Sequence, residues 1–438
     1  MDKPLHSRRV FLQHGMAMLS ATATIPLFLD STAHAISAPA GTRHARSGVD
    51  GKILVIVQLS GGNDGLNTVV PFADDAYHRA RPAIGKRSGD VLKLDDYIGL
   101  HPNLAPMKAL FDNDQMTLIQ GVGYPNPNRS HFRSMDIWHT ANPDDERTTS
   151  GWLGRYFDAT CNGADPKTLE AARGVSLGDT QPLAMKGEKF TPLNFDKPEA
   201  FRYRGRDLEG FLSLNEPDQA APIVDAANRA MRRRATVVEN PSADDQINFL
   251  SRTALDAQAS SDRIQRATQG HKPGVDYPRG GFGEDLRTVA AMIAAEMPTR
   301  VYYVSLGGFD THANQNGRHD QLMATFAQGM AAFWADMKHQ KNHERVLLMS
   351  FSEFGRRVAQ NASQGTDHGA AAPMFLIGSR LRRNVIGRHP SLTDLDAGDL
   401  KHNIDFRAVY ASVLQNWLEV PSKPILGRQF LGVDVVRG

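Results

Sequence analysis

Lys52-Ile53-Leu54-Val55-Ile56-Val57-Gln58-Leu59, followed at once by Ser60-Gly61-Gly62-Asn63-Asp64-Gly65, decides the fold class of this chain. The first string is almost unbroken aliphatic and β-branched sequence, without the alternation of a half-exposed strand. It reads as a strand covered on both faces, the habit of a parallel sheet. In open parallel sheets, ligands collect beyond the carboxyl ends of the strands, and the second string lies at that end. Its glycines allow a sharp turn that presents the Asp64 carboxylate at the sheet edge. It has neither the G-x-G-x-x-G spacing of a dinucleotide loop nor the Gly-Lys-Ser/Thr of a phosphate loop.

Four further runs resemble the first: Met116–Gln120, Val301–Leu306, Val346–Phe351 and Met374–Ile377. Helical spacing lies between them. Leu286, Val289, Ile293 and Met297 share one helical face, as do Leu322, Phe326, Met330, Phe333 and Met337. Val409, Val413, Leu414 and Trp417 mark a last helix near the C-terminus. Strands alternating with helices predict an α/β domain, a mostly parallel sheet sandwiched by helices, over residues 51–438. Residues 166–281 differ: they are polar, poor in strand-like runs, and include an Ala- and Arg-rich helical stretch at Ala221–Val238. They read as a polar helical insertion, either a solvated cap or a lid over the site.

The 438 residues carry a formal net charge of +2, so no electrostatic case for nucleic acid arises. Cys161 is the one cysteine, which excludes an intrachain disulfide, a multi-thiolate zinc site and an iron–sulfur cluster. At the N-terminus, Ser7-Arg8-Arg9-Val10-Phe11-Leu12 matches a twin-arginine signal. The apolar stretch from Gly15 to Leu29 is too short and interrupted to span a bilayer, and Ala33-His34-Ala35 offers a small-x-small cleavage pattern. Residues 1–35 are therefore expected to be a signal peptide and 36–50 a flexible leader. The mature chain is expected to be periplasmic or secreted, with the twin-arginine translocase as its partner during export and no transmembrane segment.

The sequence after each strand candidate carries the chemistry. Tyr124-Pro125-Asn126-Pro127-Asn128-Arg129-Ser130-His131-Phe132 follows the second, where Asn128 or Ser130 could cap a helix running through Trp138. A serine there faces backbone N–H groups suited to an anionic ester. Gly307-Gly308-Phe309-Asp310-Thr311-His312 follows the third, with His319 and Asp320 shortly after. Carboxylates and imidazoles at this density suit Zn, Mn, Mg or Ca. Ser352-Glu353-Phe354-Gly355-Arg356-Arg357 follows the fourth, and Thr366-Asp367-His368-Gly369 leads into the fifth. Arg356 or Arg357 could act as a fork for an oxyanion.

Taken in order, Gly-Gly-Asn-Asp-Gly, Ser-His-Phe, Gly-Gly-Phe-Asp-Thr-His, Ser-Glu-Phe-Gly-Arg and Asp-His-Gly resemble the bacterial exported family of domain of unknown function 1501. That family is similar to the alkaline phosphatase and sulfatase superfamily, and the resemblance spans about Lys52 to Val420. It implies an alkaline phosphatase-like fold holding one or two divalent ions. Its implied ligands are Asp64, Asp310, His312, Glu353 and His368, with His319 as a rival to His312. Ser130 is the nearest match to the nucleophile. The chain has Glu353-Phe354 where phosphatases usually carry Asp-His, and it lacks the Cys/Ser-x-Pro-x-Arg string of sulfatases.

Two functions follow as expectations. The first is an exported metal-dependent hydrolase of phosphate or sulfate esters, small-molecule or glycan, with Ser130, His131 and Arg356 catalytic: nucleophile, proton donor and oxyanion fork. The second is a non-catalytic exported binding protein that retains the fold.

Overall fold

A computed structural model describes residues 51–160, 173–190, 192–198, 262 and 264–437. Nearly all of them fall in one compact unit, comprising residues 41–163, 171–197 and 267–438. The signal and leader expected over residues 1–50, Cys161 and the helical stretch at Ala221–Val238 lie outside the described residues.

The architecture is α/β, one mixed sheet of mostly parallel strands with helices on both faces. In chain order its strands are β1 Ile53–Ser60, β2 Met116–Gly123, β3 Gly174–Leu177, β4 Leu193–Phe195, β5 Val301–Gly307, β6 Val346–Phe351, β7 Ala372–Ile377, β8 Val385–Ile386 and β9 Ile404–Asp405. Across the sheet the order is β8, β2, β7, β6, β1, β5, β3, β4, and β9 also pairs with β2. β1 is central, parallel to β5 on one side and β6 on the other. Its residues from Ile53 to Leu59 are buried, as a strand covered on both faces requires.

β7 is the exception. It runs antiparallel to both β6 and β2. The strand-like run is therefore as expected, but its direction is reversed relative to its neighbours. The reversal places the residues just before β7 at the edge where the parallel strands end. β3 and β4 also depart from expectation. Both fall inside the 166–281 span read as a polar insertion, yet both belong to the main sheet, parallel to β5 and to each other.

The main helices are α1 His131–Thr140, α2 Gly281–Ala294, α3 Gln315–His339 and α4 Phe406–Ser412. The predicted apolar stripe of α3 is buried at Phe326, Met330, Phe333 and Met337. Phe326 meets Phe375 of β7 with ring centroids 6.1 Å apart. On the opposite face Trp138 of α1 is stacked between Phe351 of β6, at 5.1 Å, and Phe406 of α4, at 4.3 Å. Such aromatic pairs add about 0.5–1.5 kcal/mol beyond their buried area. They hold the C-terminal turn of α1 against the end of β6, while the Ser134 hydroxyl nearer its start donates to the Glu353 carbonyl at 2.5 Å. Among the described residues no helix is long and apolar enough to cross a membrane.

Candidate metal centre

Register brings the site together. Ser60 of β1 lies opposite Gly307 of β5, and Gln58 lies opposite Phe351 of β6, so three strands end at one edge. The loops that follow are tied to each other through the backbone. The Gly61 N–H donates to Glu353 Oε1 at 2.8 Å, and the Asn63 N–H donates to Ser352 Oγ at 2.9 Å. Gly61 has φ +114°, and a Cβ there would lie 2.5 Å from the Asp310 backbone nitrogen. Only glycine permits that approach.

At this edge three imidazoles surround one carboxylate oxygen. Asp310 Oδ1 lies 3.0 Å from His312 Nε2, 3.2 Å from His368 Nε2 and 3.5 Å from His131 Nε2. The ligating atoms of His131, Asp310 and His368 all lie within 4.8 Å of one another, and His312 Nε2 is 2.9 Å from His368 Nε2. His312 and His368 are thus brought to Asp310 as expected. His368 joins because β7 is antiparallel.

The other ring nitrogens are engaged outward. His131 Nδ1 faces Glu353 Oε1 at 2.8 Å, and His368 Nδ1 faces the Arg129 carbonyl at 2.7 Å. His312 Nδ1 is 3.4 Å from Asp367 Oδ1. Carboxylate and carbonyl oxygens accept only, so a ring that gives its Nε2 lone pair to a cation keeps its proton on Nδ1 for one of these partners; without a cation, Nε2–H can instead donate to Asp310. The His131 Nε2 atom is buried and has no hydrogen-bond partner. With three Nε2 atoms and a carboxylate oxygen converging and the outer nitrogens facing oxygen acceptors, the donor set fits a divalent ion.

The charge balance agrees. The hydrogen bond to Glu353 raises the pKa of His131 above its ordinary value, against burial. Burial lowers that of His368. Burial alone would raise the pKa of Asp310, but hydrogen bonds from Arg356 and His368 hold it at about 2. Asp310 is therefore ionised across the neutral range.

The remaining expected residues stand in other roles. Glu353 is buried and orients His131 and Gly61 from behind, one step removed from the ligand position expected of it. His131, expected to donate a proton, turns its Nε2 toward the ligand group. Arg356, expected to hold an oxyanion, has a side chain with no exposed surface. Its Nε donates to the Gly62 carbonyl at 2.7 Å, Nη1 to Thr366 at 2.7 Å, and Nη2 to Asp310 Oδ1 at 2.7 Å. It is a strut joining three loops, with every guanidinium nitrogen already donating to the protein. Ser130 is the N-cap residue of α1, exposed, and its side chain makes no capping bond.

Asp64 is not brought into the group. Its side chain is fully buried, with Oδ2 2.6 Å from Arg81 Nη1 and also accepting from Gln315 Nε2, while Oδ1 receives the Asn67 N–H at 3.3 Å. Burial opposes ionisation, but Arg81 and its neighbours keep the pKa below the usual carboxylate value. His319, the rival ligand, is also elsewhere: its Nε2 is 3.2 Å from Asn63 Oδ1 in the interior. With His101 and Asp320 it forms the other His/Asp group found among the described residues. Arg81 and His101 were not anticipated. Nothing in the local sequence of either marks it, because Arg81 meets Asp64 only after the chain turns back and His101 meets Asp320 across 219 residues.

No curated protein matches the chain. Among solved structures it is similar to the lipoteichoic acid synthase LtaP from Listeria monocytogenes, at 8% identity and TM-score 0.38, covering 94% of this chain and 81% of that one. It is similar to a protein in the alkaline phosphatase superfamily from Vibrio parahaemolyticus, at 9% identity and TM-score 0.35, covering 92% and 77%. A third is the C-terminal periplasmic domain of EcEptC from Escherichia coli in complex with Zn, at 11% identity and TM-score 0.33, covering 75% and 73%. The family described as protein of unknown function (DUF1501) matches over residues 51–416, from β1 through α4, and the chain belongs to it.

Proposed function

We propose that this chain is an exported hydrolase of phosphate or sulfate esters that depends on a divalent ion, with a small-molecule or glycan ester as substrate. The observation that carries the reading is the convergence of His131, His312 and His368 Nε2 on Asp310 Oδ1. Imidazole-rich donor sets favour zinc over calcium, magnesium and manganese, which prefer oxygen shells. Bound there, the ion supplies Lewis acidity to the ester oxygens.

The chain's own residues supply the rest. Ser130 Oγ is exposed, unused in capping, and adjacent in sequence to the ligand His131, which makes it the candidate nucleophile. The N-terminus of α1 favours the ester's negative charge. Arg129 and Arg357, half-exposed beside the site loops, are anchored by Asp399 at 2.6 Å and 3.6 Å. They take the place of Arg356 as donors to the substrate anion.

A panel of chromogenic phosphate and sulfate esters tests the reading on the metal-loaded mature chain. Ser130→Ala is expected to retain metal and lose turnover by at least about a hundredfold. Bound metal with no turnover on any ester supports a non-catalytic binding protein instead. The export half has its own test: replacing Arg8 and Arg9 by lysine is expected to keep the chain in the cytoplasm.

A further inference from the structure

The resemblance allows one or two ions, but the described residues offer a free ligand set for one. Outside the His131–Asp310–His368 group, the carboxylates to weigh as ligands of a second ion are Asp64, which the resemblance names, and Asp320, which lies in the other His/Asp group. Each already carries a side-chain cation.

Asp64 faces Arg81, and the pair has no exposed surface. Arg81 is held from every side. Nη1 donates to Asp64 Oδ2 and, at 2.9 Å, to Asn67 Oδ1; Nε donates to the Val358 carbonyl at 2.9 Å; Nη2 donates to the Arg357 carbonyl at 2.8 Å. A planar, permanently charged fork fixed in this way cannot swing aside for an ion. The Asp64 oxygens are further occupied by Gln315 and the Asn67 N–H.

The group of His101, His319 and Asp320 fails as a ligand set for a chemical reason. His101 Nδ1 accepts the Asn103 N–H at 3.1 Å, so its proton lies on Nε2, which donates to Asp320 Oδ1 at 2.8 Å. No lone pair is left on that ring. The Lys86 ammonium also sits on Asp320 Oδ1. His319 keeps one unpartnered buried atom, Nδ1, and one lone pair does not make a site.

We infer that the chain binds a single divalent ion, and that Arg81 and Lys86 already occupy the carboxylates, Asp64 and Asp320, that a second ion would otherwise use. Arg81 also ties the β1 loop to the Arg357–Val358 segment, so this part of the site is built before any metal enters. The inference rests on the metal-dependent reading above and deepens it.

The test is metal content of the mature chain, measured by elemental analysis after equilibration with excess zinc and removal of free ion, with circular dichroism of the stripped and loaded forms. The expected result is one zinc per chain, bound by a protein that keeps its fold when stripped. The paired replacement Asp64→Asn with Arg81→Gln is expected to retain that ion, whereas Asp310→Ala loses it. Two ions per chain overturn the inference and leave the metal-dependent reading standing. No bound zinc overturns both. One ion lost on the paired replacement, in a chain shown to be folded, places the ion at Asp64 and also overturns it.

Discussion

His312 and His368 face each other through their Nε2 atoms at 2.9 Å. With both Nδ1 atoms turned to oxygen acceptors, neutral rings would set two lone pairs against each other at hydrogen-bond distance. A cation between or beside them removes that repulsion. The two residues are 56 apart in sequence and come from loops on different strands, so the meeting is a product of the fold.

Glu353 acts through His131. Replacing it by glutamine keeps the shape and an acceptor but removes the charge that favours the Nδ1–H tautomer and the ring's basicity. Glu353→Gln is expected to weaken zinc affinity by about ten- to a hundredfold, the usual effect of a partner behind a ligand. Competition with a chromophoric chelator measures it. Unchanged affinity would return Glu353 to a purely structural role.

Arg356 holds the Gly61–Gly62, Phe309–Asp310 and Thr366 segments with one guanidinium. Arg356→Ala leaves several buried carbonyls without a donor and is expected to cost about 3–5 kcal/mol. Lysine cannot reproduce the fork, so Arg356→Lys is expected to recover little. Urea unfolding of the two variants beside the wild type is the check, and a lysine variant of wild-type stability would contradict the strut.

Stability should also fall as the pH drops below 6.5 through a buried histidine. His139 is buried against Gln58 and Tyr303, and burial lowers its pKa to about 4 from an ordinary 6.5. The folded chain then keeps this ring neutral while the unfolded chain takes up a proton below pH 6.5. Its contribution is intact above 6.5 and is lost as the pH falls toward 4, on the order of 3 kcal/mol in all. His139→Gln in metal-free protein is expected to flatten the fall in urea midpoint between about pH 7 and about pH 5. An unchanged slope would show that the ring is already charged in the folded chain.

Much of this architecture is legible in the sequence because burial on both faces leaves an unambiguous aliphatic run. Ile53–Leu59 and Val346–Phe351 are such runs, and each is followed by its site loop. Direction is not written in a run: Met374–Ile377 reads alike either way. The clue lay in the connection, since residues 352–371 show no helical spacing for a parallel crossover. β3 and β4 are too short, at four and three residues, to stand out from polar surroundings. Within the site, Asp310, His312 and His368 stand out in the sequence because each lies in a glycine-flanked polar stretch next to a strand-like run. The diversion of Asp64 does not. It depends on Arg81, which reaches the carboxylate only after the chain has turned back through the short helix Asp75–Ala80.

X-ray absorption at the zinc edge of the zinc-loaded chain reads the ligand set at Asp310, because imidazole rings leave a characteristic outer-shell scattering. A nitrogen- and oxygen-bound zinc with imidazole scattering is expected, reduced when His368 is replaced by alanine. A shell of oxygen ligands without imidazole, or one indifferent to that replacement, would contradict that ligand set.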